Sequence, residues 1–424
     1  MRKQLRVLGA AVVTASLALT PLSGTAEAGP VPHTVVLDGG QLAKVRSSLR
    51  TGTATPAQRD ALRGLVSKAD GFLGEAPWAV THKNRTPPSG DKHDYLSQAP
   101  YWWASKPSTP DNPLGCPYVQ RDGERNPEAD AISDHTERGR VFEAIPSLAL
   151  AWYYTGERKY AEHAVAAVRA WFLDPATRMN PNLTYAQLIP CRTDVRGTGI
   201  IDSTQSFTSV VDAFAVLDAG APGWTGRDRA GLTRWLGRYL DWMRTSPQAV
   251  QELAATNNHG TFLDMQNAAI ALYLGERRLA KSIVVTARTE RIDRQIDAGG
   301  RQPLELSRTK PWHYSNFNLT ALGRLAEIGR HVGVDLWSYQ APGGGSLRKA
   351  VDYLVPAAIH GKNAWPHEDI GPFDQWIAVD ILHAAAEQGH DPLAAEALKQ
   401  VPAPPGGDLW PVRPACVSLN LPAK

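Results

Sequence analysis

Charge of one sign is what this chain most lacks. Its 424 residues carry 45 Lys and Arg against 42 Asp and Glu, a formal net charge of +3. That balance excludes a protein that coats nucleic acid and an acidic disordered chain. Cysteine is nearly absent: Cys116, Cys191 and Cys416 are all there is. With no Cys-x-x-Cys and no His/Cys cluster at ligand spacing, neither a structural zinc nor any other metal or cofactor is expected. The apolar run from Val7 to Leu19 is too short to span a bilayer and no later run is longer, so no membrane anchoring is expected. Strand-like alternation is confined to short pieces. Phe is scarce, 8 beside 13 Trp. Trp joins a flat apolar face to one N–H donor, a combination that stacks on sugar rings but that large cores also consume.

Arg2, Lys3 and Arg6 precede the apolar run, and Ala26-Glu27-Ala28 follows it with small residues at the two positions a signal peptidase reads. The pattern is secretory, with cleavage after about Ala28. The leader takes a net +2 with it and leaves +1, so an acidic partner has to be held by a few local cations. In an oxidising compartment three cysteines read as one disulfide and one free thiol. Cys116–Cys191 is the favoured pair, both in Pro-flanked, loop-like contexts.

The remainder reads as helices. Ile145, Leu148, Ala149 and Trp152 recur at helical spacing. So do Phe207, Val210, Val211, Phe214 and Leu217 behind a Ser203-Thr204 cap, and Leu232, Trp235, Leu236, Tyr239, Leu240 and Met243. Further helices are expected near 56–74, 158–172, 260–274, 279–297, 316–330, 346–359 and 373–388. The stretch from Ala151 to Val168 echoes that from Ile270 to Val285: a helix ends at a glycine, a charged turn follows, and a second helix begins. The period is too irregular for an open solenoid. The expectation is therefore an all-α, single-domain (α/α) toroid over 29–424, an incomplete barrel of helical hairpins. The irregular stretches 78–138 and 174–203 would lie over one mouth, and loops of that length are usually functional.

Three segments carry candidate chemistry. Asn257-Asn258-His259-Gly260 opens a helix, where side-chain donors and backbone amides meet the positive end of the helix dipole and suit an anion; a plain cap is the alternative. Arg301 to Asn318 gathers Arg301, Arg308, Lys310, Trp312, His313 and Tyr314 before a helix, and a Tyr beside cations can have its pKa lowered enough to carry a proton. Tyr101-Trp102-Trp103, continuing to Arg121-Asp122-Gly123 and Asn126-Pro127-Glu128, offers aromatics for a sugar cleft or for a structural cover. Trp365-Pro366-His367-Glu368 is a weaker candidate for the far rim.

Taken in order, these segments resemble the alginate lyase superfamily of polysaccharide lyases over roughly 85–370. The resemblance implies β-elimination at a 1,4-linked uronate. Asn258 and His259, with Arg308 as the cation, would neutralise the substrate carboxylate, one such donor being worth roughly 3 kcal/mol in the barrier. Tyr314 would serve as base, acid or both, and His259 as base for the opposite stereochemistry. His313 stands beside Tyr314 as a rival for either role, although neighbours are expected to point apart; Arg301 is the alternative cation. Tyr101, Trp102, Trp103, Arg121, Arg301, Trp312, His313 and His367 would bind substrate. The expected partner is an acidic polysaccharide, met by an exported monomer that binds neither nucleic acid nor membrane. A glycoside hydrolase on the same fold would need two carboxylates flanking the bond, with Asp130, Asp134, Glu137, Glu143, Asp202 and Asp264 on offer. A secreted carbohydrate-binding protein without turnover is the other alternative.

Overall fold

The computed structural model describes residues 30–75, 77–194 and 196–414. The expected leader and Cys416 lie outside these. Fifteen helical segments are described: α1 Gly39–Thr51, α2 Pro56–Phe72, α3 Ser133–Thr155, α4 Arg158–Val168, α5 Ile201–Asp218, α6 Gly226–Thr245, α7 Pro247–Leu253, α8 Asn258–Tyr273, α9 Arg277–Ala287, α10 Asp293–Gln295, α11 Pro303–Leu306, α12 Pro311–His331, α13 Leu347–His360, α14 Val379–Glu387 and α15 Pro392–Ala397. The fold is the α/α toroid.

Burial separates an inner from an outer layer. Along α8 nearly every residue from Gly260 to Ala271 is buried, whereas α9 buries only Ala280, Val284 and Ala287, a single stripe. The inner helices succeed one another around the barrel, α3 against α5, α5 against α8, α8 against α12 and α12 against α14, with α2, α4 and α9 packed outside. The internal echo is this inner-to-outer hairpin met twice. Gly156 (φ 76°) and Gly275 (φ 84°) sit in the turns after α3 and α8. The outer helix of each pair runs 11 residues into a five-residue π segment, Arg169–Leu173 in one and Arg288–Ile292 in the other.

Two boundaries that bear on the site differ from the sequence reading. Ser203 and Thr204 do not cap α5: they are buried inside it, because a 3-10 turn, Gly197–Ile200, already starts the helix. α12 begins at Pro311, not near 316, since Pro at the first position needs no N–H partner and presets the helical φ. Trp312, His313 and Tyr314 are therefore helical rather than loop residues.

The long loops are pinned to the barrel and to each other. β1, Leu96–Gln98, pairs in parallel with β4, Tyr185–Leu188, and β2, Trp102–Ala104, runs antiparallel to β3, Tyr118–Gln120. Lys83 and Asp134 form a wholly buried ion pair at 3.0 Å that ties the first loop to the start of α3. Burial raises the Asp134 carboxyl to about 6, partly opposed by Lys83. Cys116 and Cys191 are joined, closing a separation of 75 residues. Replacing both by Ser is expected to cost about 2–4 kcal/mol, read as a lower urea midpoint. An unchanged midpoint would mean that strand pairing and the buried ion pair hold the loops unaided.

Candidate active site

The loops and the inner helices enclose a cavity of about 1320 Å³. Tyr101 and Trp102 line it from the first loop, Asn258 and His259 from the start of α8, Arg308 from the turn before α12, and His313 and Tyr314 from α12. Residues from three separate stretches of chain thus meet at one place.

The start of α8 is fixed from behind. Asn257 caps it, its side chain accepting from the His259 N–H at 3.3 Å. Arg291 donates to the carbonyls of Ala255 and Leu253 at 2.8 and 3.0 Å and pairs with Asp264 at 2.8 Å. Gly260 permits this approach: a Cβ there would lie 2.3 Å from the Ala255 carbonyl and 2.5 Å from the Arg291 guanidinium. The glycine of the Asn-Asn-His-Gly run is therefore a packing requirement.

Two buried carboxylates that sequence reasoning missed orient the pair in front. Glu305 accepts from the Asn258 N–H at 2.8 Å and from its Nδ2 at 2.7 Å. One Nδ2 hydrogen is thereby used and the other left for a ligand. Burial raises the Glu305 carboxyl, and these two bonds pull it back. Glu252, from α7, bonds His259 Nδ1 at 2.7 Å. Burial pushes the His259 imidazole down, but Glu252 outweighs it and leaves the pKa above the ordinary 6.5. The stabilisation from this pair is fully present below the unfolded His pKa and is lost as pH rises through the raised folded value. Glu252→Gln is expected to bring His259 below 6.5 in an NMR titration, since burial then acts with its main opponent removed. No change would mean that Glu252 does not control that proton.

Opposite them stands a cation on a tether. Asp122 takes Arg308 Nε at 3.2 and 3.1 Å and Nη2 at 2.5 Å, and also accepts from the Thr309 N–H at 3.1 Å. Gly123 allows this contact at φ 74°, where a Cβ would lie 2.4 Å from Thr309 Oγ1. Burial alone would raise the Asp122 carboxyl, but its bonds to Arg308 and Thr309 hold it below the usual range. Burial likewise works against the Arg308 charge and is overcome by Asp122, so the pKa moves up. The Arg308 guanidinium lies 3.6 Å from the Tyr314 ring centroid, and the Tyr314 hydroxyl donates to the Tyr101 hydroxyl at 3.0 Å. Contrary to expectation, the Tyr314 pKa is not lowered. Burial, then Tyr101, raises it well above the ordinary phenol value, and Arg308 opposes this only in part. Tyr314 therefore rests protonated.

The substrate-contact residues expected from sequence divide. Tyr101, Trp102 and His313 line the cavity; Trp103, Arg121, Arg301, Trp312 and His367 do not. Trp102 and Trp103 are successive residues of β2 and so point to opposite faces; Trp103 donates its Nε1 to the Glu124 carbonyl and lies under Arg121. In the Arg121-Asp122-Gly123 run the functional contact belongs to Asp122. Arg301 pairs with Asp297 on the surface. Trp312 is 1% exposed, stacks 4.6 Å from Phe373 and donates to the Asp374 carbonyl, so it is core and not a sugar platform. His367 bonds the Tyr353 hydroxyl at 2.7 Å. His313 and Tyr314 face one cavity although they are neighbours, because successive helical positions are about 100° apart, unlike the half-turn of a strand. A further cation that sequence reasoning passed over is Arg196, which lines the cavity and lies with Arg192 at 5.6 Å over the Trp102 ring.

The carboxylates a hydrolase would need are already engaged, although Asp130, Glu143 and Asp202 line the cavity. Asp130 pairs with Arg125, Asp134 with Lys83, Glu143 with Lys68 and Asp264 with Arg291; Asp202 accepts from Tyr95, Ser97 and Gln187. Among the described residues no group of three or more His, Cys, Asp or Glu is placed to hold a metal ion.

The sequence matches the alginate lyase family over residues 79–365. Among solved structures it is similar to an alginate lyase from Bacteroides ovatus, with 34% identity, 92% of this chain and 100% of that chain covered, and a TM-score of 0.82. It also shares its fold with alginate lyase A1-III from Sphingomonas species A1, at 16% identity, 89% and 97% coverage and a TM-score of 0.54. A histidine-to-alanine variant of A1-III complexed with a tetrasaccharide aligns at 15% identity, 90% and 97% coverage and a TM-score of 0.55. No curated protein sequence matches the chain.

Proposed function

The chain belongs to the alginate lyase family and is a polysaccharide lyase; from that premise we propose that it is exported and cleaves β-1,4-linked polyuronate, polymannuronate or glucuronan, by β-elimination to 4,5-unsaturated uronate ends. The observation that carries the reading is the convergence of Asn258, His259, Arg308 and Tyr314 on one cavity. With no strong bulk charge, the cations that meet an acidic chain are these local ones.

The C5–H of a uronate is a poor acid while the adjacent carboxylate carries its full charge. Asn258 Nδ2, His259 and Arg308 supply donors to that carboxylate. Preorganised in a water-poor site, one such donor contributes about 3 kcal/mol to lowering the barrier. Arg308 keeps Nη1 for this task, because Asp122 takes only Nε and Nη2. Tyr314 rests protonated and first releases that proton to solvent; its phenolate then takes the C5 proton, and the phenol so formed passes it to the departing O4. In β-D-mannuronate and β-D-glucuronate the C5 hydrogen and O4 lie on the same ring face, so one tyrosine can serve both transfers. Arg308 over the ring stabilises the phenolate this requires, against burial and Tyr101, which disfavour it.

Initial rates on polymannuronate, glucuronan and polyguluronate, followed by ultraviolet absorbance, test the substrate assignment. The first two are expected to outpace polyguluronate, whose C5 hydrogen and O4 lie on opposite faces. A preference for polyguluronate would overturn the single-tyrosine reading and pass the base role to His259.

A further inference from the structure

The cavity does not end at the catalytic cluster. Along α5 the lining residues are Ile201, Asp202, Gln205, Ser206 and Ser209, with Ala213 and Val216 continuing below, and the polar ones fall at helical spacing on one face. The opposite faces of this inner helix are apolar and buried. On neighbouring α3 the lining residues include His135, Arg138 and Phe142. A polar stripe in the lumen of an otherwise apolar barrel is surface kept for a polar occupant.

Arg138 is the unusual member of that stripe. It is 5% exposed, and its Nε has no hydrogen-bond partner. Among the described residues it forms no ion pair, and its guanidinium carbon lies 5.9 Å from the centre of the Phe142 ring. Asp202, the nearby acid on α5, is engaged by Tyr95, Ser97 and Gln187 instead. Burial and then Arg138 depress His135 to about 4, so no second proton competes for an anion there. A buried guanidinium left without a carboxylate is costly to the fold. It lines the same cavity as Arg308 and His259.

We propose that Arg138, with Gln205, Ser206 and Ser209 lining the same cavity, forms a second carboxylate subsite that holds the uronate next to the one being cleaved. The inference rests on the polyuronate reading above. A polyuronate carries a carboxylate on every sugar, so one chain supplies an anion to both places. A planar fork in a dry site recognises a carboxylate through paired hydrogen bonds, which a neutral sugar cannot supply.

The test uses the full chain in a Tyr314→Phe background, where ligands are not consumed, with Arg138→Met and Arg138→Lys added. The probes are trimannuronate and β-1,4-mannotriose, the same skeleton without carboxylates. Arg138→Met is expected to weaken trimannuronate about tenfold with mannotriose unaffected, and to shift Tm upward, because it removes an unpaired buried charge. Arg138→Lys is expected to recover part of the affinity. With Tyr314 present, the Met variant is expected to raise KM on polymer about tenfold, with a smaller change in kcat. Unchanged trimannuronate affinity, or a fall in Tm without loss of affinity, would overturn the proposal and leave Arg138 a structural residue. If the unmodified enzyme binds trimannuronate through Arg138 yet forms no unsaturated product from any polyuronate, the lyase assignment fails while the subsite stands.

Discussion

Tyr314→Phe is expected to lower kcat by about 10²- to 10⁴-fold while leaving oligouronate binding close to that of the unmodified enzyme. The substitution removes one oxygen. Its ring stays beneath the Arg308 guanidinium, 3.6 Å from the cation, and among the described residues the hydroxyl's one hydrogen bond is to Tyr101. The fold should therefore lose little, and the rate should lose the proton carrier. The pH dependence is part of the same expectation. Burial keeps the Tyr314 hydroxyl protonated through the neutral range, so a rate that needs its phenolate is expected to rise with pH. A variant that kept its rate within tenfold would point to His313, whose ring centre lies 5.0 Å from that of Tyr314 on the same cavity wall.

Arg308→Lys is expected to reduce kcat/KM by about 10²- to 10³-fold even though the charge is conserved. Arg308 presents a planar fork: Nε and Nη2 are spent on Asp122, and the remaining nitrogen is aimed by that grip. An ammonium has no second edge and cannot bind Asp122 and the substrate in the same geometry. Asp122→Asn separates charge from aim. It keeps the guanidinium but loosens the tether, and an intermediate loss is expected, mainly in kcat. Equal activity of Arg308→Lys and the parent enzyme would show that only net positive charge matters at this position.

The inner helices were legible because their apolar periodicity and the repeated glycine-ended hairpin are local properties. The Asn258-His259 and Arg308–Tyr314 segments were legible for a related reason: donors at a helix start and cations among aromatics are unusual in short windows. The sequence could not show which carboxylate serves which donor. Glu252 lies seven residues before His259 and Glu305 forty-seven after Asn258; only tertiary packing brings them in, and an isolated Glu carries no signal of it. Trp312 failed for a different reason. Its charged, aromatic neighbourhood looked like a loop, but Pro311 starts α12 there, and the first turn buries the indole against Phe373. Trp103 was misjudged by treating three consecutive aromatics as one surface, where a strand splits them. The direction of the Tyr314 pKa was missed because a cation nearby is visible in sequence, whereas burial is not.

The central claim is that this cavity performs β-elimination on a polyuronate. The direct measurement is the absorbance of the 4,5-unsaturated uronate, recorded alongside new reducing ends, as the protein acts on polymannuronate and glucuronan. The account predicts that absorbance and reducing ends rise together, one chromophore per cleavage, and that both vanish in Tyr314→Phe. Reducing ends without absorbance, or neither signal on any polyuronate, would contradict it.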